Sequence, residues 1–292
     1  MRDRWLLAPV VALALCGVAC GSGGDSGARS SSAAHGTAPT TTEVPTTAAP
    51  APTTAAPDPL ARPAWLGTRV LPTGADGNAE VQPTPPELDP RHLRTVDALP
   101  PPADGQFHGT VTPVPADVAA RSSWQPACPV ALDELRYVTV TFWGYDDAAH
   151  TGELLVNRDA ADGFVDVFHR LFDARYPIEE MRVTSAADID APPTGDGNNT
   201  SAFACRPTRG STTWSEHAYG KAVDVNPFMN PYTNGPRVLP ELASTYLDRA
   251  DVRPGMITPG DLVTGAFSAI GWEWGGLWER PTDFMHFSAD DR

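Results

Sequence analysis

Positive charge is scarce in this 292-residue chain: 21 lysines and arginines stand against 36 aspartates and glutamates, a formal net charge of −15. So negative a surface repels phosphate backbones and anionic lipid headgroups, and no basic patch or aromatic RNA motif offsets it. Nucleic acid and an anionic membrane face are therefore not expected as partners. Long apolar runs are lacking too. The stretch from Leu6 to Ala19 has 14 residues, short of the roughly 20 that a membrane-spanning helix needs. There are only four cysteines, of which Cys16 and Cys20 lie in the first twenty residues, and the spacing of the other two, Cys128 and Cys205, matches no two-cysteine metal motif. Internal repeats are absent, which argues against a solenoid.

The N-terminal composition reads as an address and a tether. Arg2 and Arg4 precede the short apolar run, the arrangement of an export signal over residues 1–20. Gly17-Val18-Ala19-Cys20 resembles a bacterial lipobox, with Cys20 as the residue that would carry lipid, although Gly17 stands where leucine is usual; ordinary cleavage and secretion is the alternative. Residues 21–104 are rich in Gly, Ser, Thr, Ala and Pro and are expected to be a mostly disordered linker. Leu60, Trp65, Leu66 and Val70 could pack part of it, as an arm, onto the domain that follows. Once the leader is gone, Cys128 and Cys205 are the only pair left. In an oxidising compartment a disulfide between them is expected, with two buried thiols as the alternative.

Residues 105–292 are enough for one domain with its own core. Arg136 to Trp143 alternates like a strand, Gly144 to Asp147 is a turn and Gly152 to Asn157 a partner strand. Phe164, Val167, Phe168, Leu171 and Phe172 recur at helical spacing, predicting an amphipathic helix between about Asp159 and Arg175 that stops before Pro177. A strand is expected over Met181 to Ser185. A helix is expected from the Thr258-Pro259 start to about Gly271. This mixture predicts an α+β fold, a small mainly antiparallel sheet flanked by helices.

Two segments carry the chemistry. Ser215-Glu216-His217-Ala218-Tyr219-Gly220-Lys221-Ala222-Val223-Asp224 is answered by Asp283-Phe284-Met285-His286. Two imidazoles and one carboxylate can hold Zn²⁺ and leave the fourth tetrahedral position to water. Asp283 can then take the proton of that water. In a strand over Lys221 to Asn226 the valines share one face while Ala222, Asp224 and Asn226 share the other. Gly220 can adopt a positive-φ turn that folds His217 over the face of Asp224. A terminal strand over Phe284 to Phe287 would put Asp283 and His286 on opposite faces unless Asp283 lies in the loop entering it, near Pro281-Thr282.

In these motifs the chain resembles the zinc D-Ala-D-Ala carboxypeptidases of vancomycin-resistance type and the L-alanyl-D-glutamate endolysins. Their pattern of Ser, His, Gly, Ala and Asp is met by Ser215, His217, Gly220, Ala222 and Asp224, and their acidic residue and last His by Asp283 and His286. The resemblance covers roughly residues 130–292. It implies His217, Asp224 and His286 as zinc ligands on the sheet face and Asp283 as base, with Glu273 and Glu279 as fallbacks. It also implies a substrate-binding arginine upstream of the first motif, for which Arg206 is the candidate and Arg209 a weaker one. Arg206 bridging a surface acid is the plain alternative.

The expected function is a zinc peptidase of peptidoglycan stem peptides, exported to the outer face of the membrane or the wall and acting as a monomer. A D-alanyl-D-alanine carboxypeptidase leads. An L-alanyl-D-glutamate-type endopeptidase or a non-catalytic wall-binding module that keeps the zinc fold are the alternatives. Trp272 to Trp278 could wall the cleft or fill the core. His35, His92, His108, His150 and His169 have no companion at ligand spacing and are read as structural or solvated.

Overall fold

The computed structural model describes residues 58–290. The expected leader, Cys20 and the tether as far as residue 57 lie outside them. In chain order the elements are β1 (Gly109–Pro113), α1 (Ala116–Arg121), β2 (Leu135–Trp143), β3 (Ala149–Asn157), α2 (Ala161–Asp173), β4 (Glu180–Met181), α3 (Ala186–Asp190), β5 (Asn199–Thr200), β6 (Ala222–Asp224), β7 (Tyr232–Asn234), β8 (Arg237–Leu239), α4 (Leu262–Ser268), β9 (Glu273–Trp274), β10 (Thr282–Asp283) and β11 (His286–Ser288). The class is α+β, with small antiparallel sheets and few helices.

The expected hairpin forms the largest sheet. β2 and β3 pair antiparallel from Leu135↔Asn157 to Trp143↔Ala149, and β1 adds along the far side of β2. Valines and Phe142 at alternate positions of β2 face inward, and α2 lays Phe164, Val167, Phe168 and Leu171 against them. Phe172, the last of the helical series, stays half-buried and stacks on Trp143 at 5.1 Å.

After residue 180 the pattern departs from a single sheet. Two further three-stranded sheets appear, in the orders β6-β11-β9 and β10-β7-β8, and β4 and β5 make a parallel pair. The reason is local: these strands are two or three residues long and are punctuated by Pro227, Pro231, Gly235, Pro236 and Pro240, which remove ladder donors or turn the chain. The strand expected over Met181 to Ser185 stops at Met181, because Ser185 instead caps α3, its side chain accepting from the Asp188 amide at 3.1 Å. The helix expected from Thr258 begins at Leu262. Its cap is Asp261, which accepts from the Thr264 amide at 2.9 Å and from the Thr258 amide at 2.7 Å.

The linker expected to run to residue 104 ends much earlier. Within residues 58–104, Leu71, Leu88 and Leu93 are buried in a second core with Phe228, Met229, Leu242 and Tyr246. Arg91, only 1% exposed, makes a two-pronged pair with the fully buried Glu179, Nε to Oε2 at 2.6 Å and Nη2 to Oε1 at 2.8 Å. Arg62 adds a third contact to Glu179 at 3.1 Å, and Asn198 a fourth at 2.8 Å. Burial penalises the Glu179 charge, but Arg91 beside it more than compensates and holds the carboxyl below its usual range. The arm suggested by Leu60, Trp65, Leu66 and Val70 thus packs onto the domain, with Trp65 and Leu66 against this core and Val70 exposed, but its deepest anchors are Leu71, Leu88, Arg91 and Leu93, which the composition had not singled out.

Cys128 and Cys205 are joined, their Cα atoms 5.8 Å apart, which fastens the segment leading to the first motif.

Loss of one partner leaves a buried charge uncompensated, typically at about 3–5 kcal/mol. Arg91→Met is therefore expected to lower stability by that amount in denaturant unfolding, and the double change Arg91→Met with Glu179→Leu to recover much of it.

Candidate metal centre

His217 stands in a 3₁₀ turn, Glu216–Tyr219, that ends at Gly220 with φ 68°. Glycine is required twice over. The left-handed conformation disfavours a side chain, and a Cβ at this position would come within 2.6 Å of the Asn157 amide nitrogen. The turn folds His217 back toward β6, as the sequence implied. Its Nδ1 donates to the Ala202 carbonyl at 2.6 Å, which assigns the proton to Nδ1 and leaves the Nε2 lone pair free, the outer hydrogen bond that orients metal-binding imidazoles.

Asp224 ends β6 and His286 begins β11, and the antiparallel register sets them directly opposite each other. The three side chains converge. His217 Nε2 lies 3.3 Å from His286 Nδ1 and 3.4 Å from Asp224 Oδ2, and His286 Nδ1 lies 3.3 Å from Asp224 Oδ1. A tetrahedral site with zinc bonds of about 2.0–2.1 Å has edges of about 3.3–3.4 Å. The spacing and the donor types fit zinc, and the group could hold a metal ion. Both histidines are buried, and Asp224 keeps 20% of its side chain exposed. Burial works against the Asp224 charge, yet the His217 and His286 imidazoles outweigh it and hold this carboxyl far below the ordinary range. His286 Nε2 and Asp283 Oδ1 are buried with no hydrogen-bond partner among the described residues.

Asp283 is not in a loop, as its offset from His286 had led one to expect. It forms the two-residue strand β10, which pairs with β7 in a different sheet, Asp283 opposite Tyr232. Phe284 and Met285 bend the chain between the two sheets, so strand alternation does not run from Asp283 to His286, and both reach the same cleft. Gly275 permits the crossing: a Cβ there would sit 2.8 Å from the Asp283 carbonyl oxygen. Burial, and then the negative charge of Asp224, push the Asp283 carboxyl up to about 7.

A cleft of about 1470 Å³ opens over these groups. Arg206 lines it, half-buried, donating from Nη1 to the Pro207 carbonyl at 3.3 Å and forming no ion pair among the described residues. Burial disfavours its charge, and Arg209 opposes it further. Arg209 is exposed on the cleft rim. The tryptophan segment divides: Trp272 and Trp274 are core, whereas Trp278 lines the cleft with its ring 5.4 Å from that of His286. Glu273 and Glu279 do not line it. His150 is held between Asp97 and Asp146 at 2.8 and 2.9 Å, His108 meets Asp104, His169 stacks on Phe107 and His92 on Tyr145, all away from the cleft. His35 lies outside the described residues.

With this geometry in hand, the comparisons with known proteins are specific. Residues 209–289 match the family described as D-alanyl-D-alanine carboxypeptidase. That is about a quarter of the chain, and it holds His217, Asp224, Asp283 and His286. Over that segment the chain is similar to a family of peptidases, and the group that could hold a metal ion lies inside it. No curated protein and no solved structure matches the chain.

Sequence reasoning missed the Ala202 carbonyl behind His217 and the arm residues Arg62, Leu66, Thr68 and Val70 that line the cleft. A backbone acceptor leaves no mark in sequence, and the arm's apolar residues are too sparse to show a period. If His217, Asp224 and His286 are ligands, changing any one to Ala should leave a folded protein whose zinc affinity falls by more than the roughly 10- to 100-fold that loss of an outer partner costs. Stoichiometric zinc in the His286→Ala protein, by elemental analysis, would exclude the assignment.

Proposed function

We propose that this chain is an exported zinc peptidase of peptidoglycan stem peptides that acts as a D-alanyl-D-alanine carboxypeptidase. The reading is carried by two imidazole nitrogens 3.3 Å apart, each 3.3–3.4 Å from one oxygen of the Asp224 carboxylate, in one cleft with a buried carboxyl, inside the segment that matches the family. His217, Asp224 and His286 would hold zinc. When bound, zinc supplies Lewis acidity, polarising a carbonyl and bringing the pKa of water toward about 7.

The remaining work falls to side chains. Asp283, raised to about 7, is matched to accept a proton near neutral pH and return it to the leaving amine. Its buried Oδ1 has no competing hydrogen-bond partner among the described residues. Arg206 offers a guanidinium that pairs with no carboxylate among the described residues, the group suited to a two-pronged pair with a free C-terminal carboxylate. Export rests on the leader and Cys20, which lie outside the described residues, and a monomer is the working state. No helix among the described residues is long and apolar enough to cross a membrane.

Asp283→Asn should retain zinc while kcat/KM falls by about 10²- to 10⁴-fold, the usual loss for a general base. Zinc loss in that variant would make Asp283 a ligand instead. A second measurement fixes the bond. Wild-type protein should prefer a stem ending in free D-Ala-D-Ala over its C-terminal amide, and Arg206→Ala should erase that preference, a change of roughly 10- to 150-fold. Equal cleavage of acid and amide by the wild type would point to an endopeptidase.

A further inference from the structure

A strand of two residues, β10, carries Asp283, and so short a ladder fixes little beyond the backbone pairing itself. The bend that follows is held more firmly, because both peptide units that flank Met285 are anchored. The Phe284 carbonyl accepts from the Trp274 indole Nε1 at 2.8 Å. The Met285 carbonyl accepts from the amide of Val225, next to Asp224, at 2.9 Å. The Phe284 ring packs against the main core and takes no part in the cleft wall. It lies 6.0 Å from the ring of Trp274, with the Arg249 guanidinium 4.3 Å over its centre. Trp274 is fixed in turn by its place opposite Phe287 in the β9–β11 pair. Its neighbour Gly275 lies against Asp283, since a Cβ there would sit 3.1 Å from the Asp283 Cβ.

The indole bond reaches further than the carbonyl it touches. A trans peptide unit is planar, and its C=O and N–H point in opposite directions. Holding the Phe284 carbonyl on Trp274 therefore also sets the direction of the Met285 N–H, which belongs to the same unit. That N–H turns back to the carboxylate of Asp283. Burial and the charge of Asp224 push this carboxyl up to about 7, and the bond from the Met285 amide works against them. Oδ1 meanwhile has no hydrogen-bond partner among the described residues. The carboxylate is thus held through one amide while Oδ1 stays unengaged.

A base of this kind must come within about 2.6–3.2 Å of the proton it takes, and a misplacement of about 1 Å can cost on the order of 10²-fold in rate. We infer that Trp274, which lines no part of the cleft, is a positioning residue for Asp283: its indole N–H fixes the Phe284–Met285 peptide plane, and that plane aims the carboxylate. The inference rests on the peptidase reading with Asp283 as base, and adds to it a residue that acts from behind the cleft wall.

The test is a mutant cycle in the full-length protein with a stem peptide as substrate. Trp274→Phe keeps an aromatic ring in the core and removes the donor. It should retain stoichiometric zinc by elemental analysis and lower kcat by roughly 10- to 100-fold, with KM held within about twofold. In the Asp283→Asn background the same change should cost less than about threefold, because no base remains to be aimed. Replacing Trp274 by 3-benzothienylalanine, which puts sulfur in place of the N–H at nearly the same shape, should reproduce the loss and serves if Trp274→Phe does not fold. Trp272→Phe, in the same core with its ring 4.9 Å from that of Phe164, should leave kcat unchanged. A kcat loss as large in Asp283→Asn as in the wild-type background, an equal loss in Trp272→Phe, a loss carried by KM, a loss of zinc, or no loss at all overturns the inference and leaves the peptidase reading intact. If the wild type cleaves no stem peptide, or Asp283→Asn cleaves it as fast, the peptidase or base assignment itself fails and takes this inference with it.

Discussion

Two three-residue strands, 62 residues apart in the chain, carry the cleft. β6 and β11 pair so that Asp224 faces His286 across the ladder, and every other feature of the centre is arranged around that pair. His217 comes to it from a turn that only glycine can close. Asp283 comes to it from a neighbouring sheet. Short strands are weak alone, and this pair is held from three sides. β9 extends it beyond β11, an isolated bridge ties Asp224 to Ser201, and Phe287 stacks between Phe267 and Trp274 in the main core.

The electrostatics of the centre follow from what is crowded there. Two imidazole nitrogens and a carboxylate approach within 3.4 Å of one another, and a second carboxyl, Asp283, lies in the same cleft. Such a cluster binds a cation favourably because the donors are already assembled, and the cost of assembling them is met in folding. It also drives the two carboxyls apart: the imidazoles keep Asp224 ionised, whereas Asp283 is shifted upward by burial and by Asp224. One carboxylate suited to holding a cation and one suited to trading a proton thus arise from the same crowding.

The parts of the molecule legible in the sequence were those governed by short-range rules. The amphipathic period of α2, the β2–β3 alternation and the need for a positive φ at Gly220 each depend on a few neighbouring residues, and the two motifs supplied the donor set. What was not legible depended on distant partners. No local pattern says that Asp283 will join β7 and not β11, since that choice is made by the bend at Phe284-Met285 and the space left by Gly275. Thr258-Pro259 looked like a helix start, but Asp261 has the side chain placed to accept the first free amides. Arg91 gave no signal at all, because its partner Glu179 lies 88 residues on.

That arginine also connects the arm to the chemistry. Glu179 receives Arg91 through its carboxylate, and its amide donates to Asn226 Oδ1 at 3.3 Å, two residues past Asp224. The guanidinium lies 4.4 Å from the ring of Phe228, whose own amide donates to Asn198, a further partner of Glu179. The arm is thus bonded into the loop that leaves β6, and it presents Leu66, Thr68 and Val70 to the cleft on the way. His217, Asp224, Asp283 and His286 themselves fall within 209–289, the segment that matches the family. The arm and Pro192 to Asn199, which supply much of the remaining wall, fall outside it. The donor group and much of the wall around it are therefore built from different stretches of chain, joined through Arg91, Glu179 and Asn226.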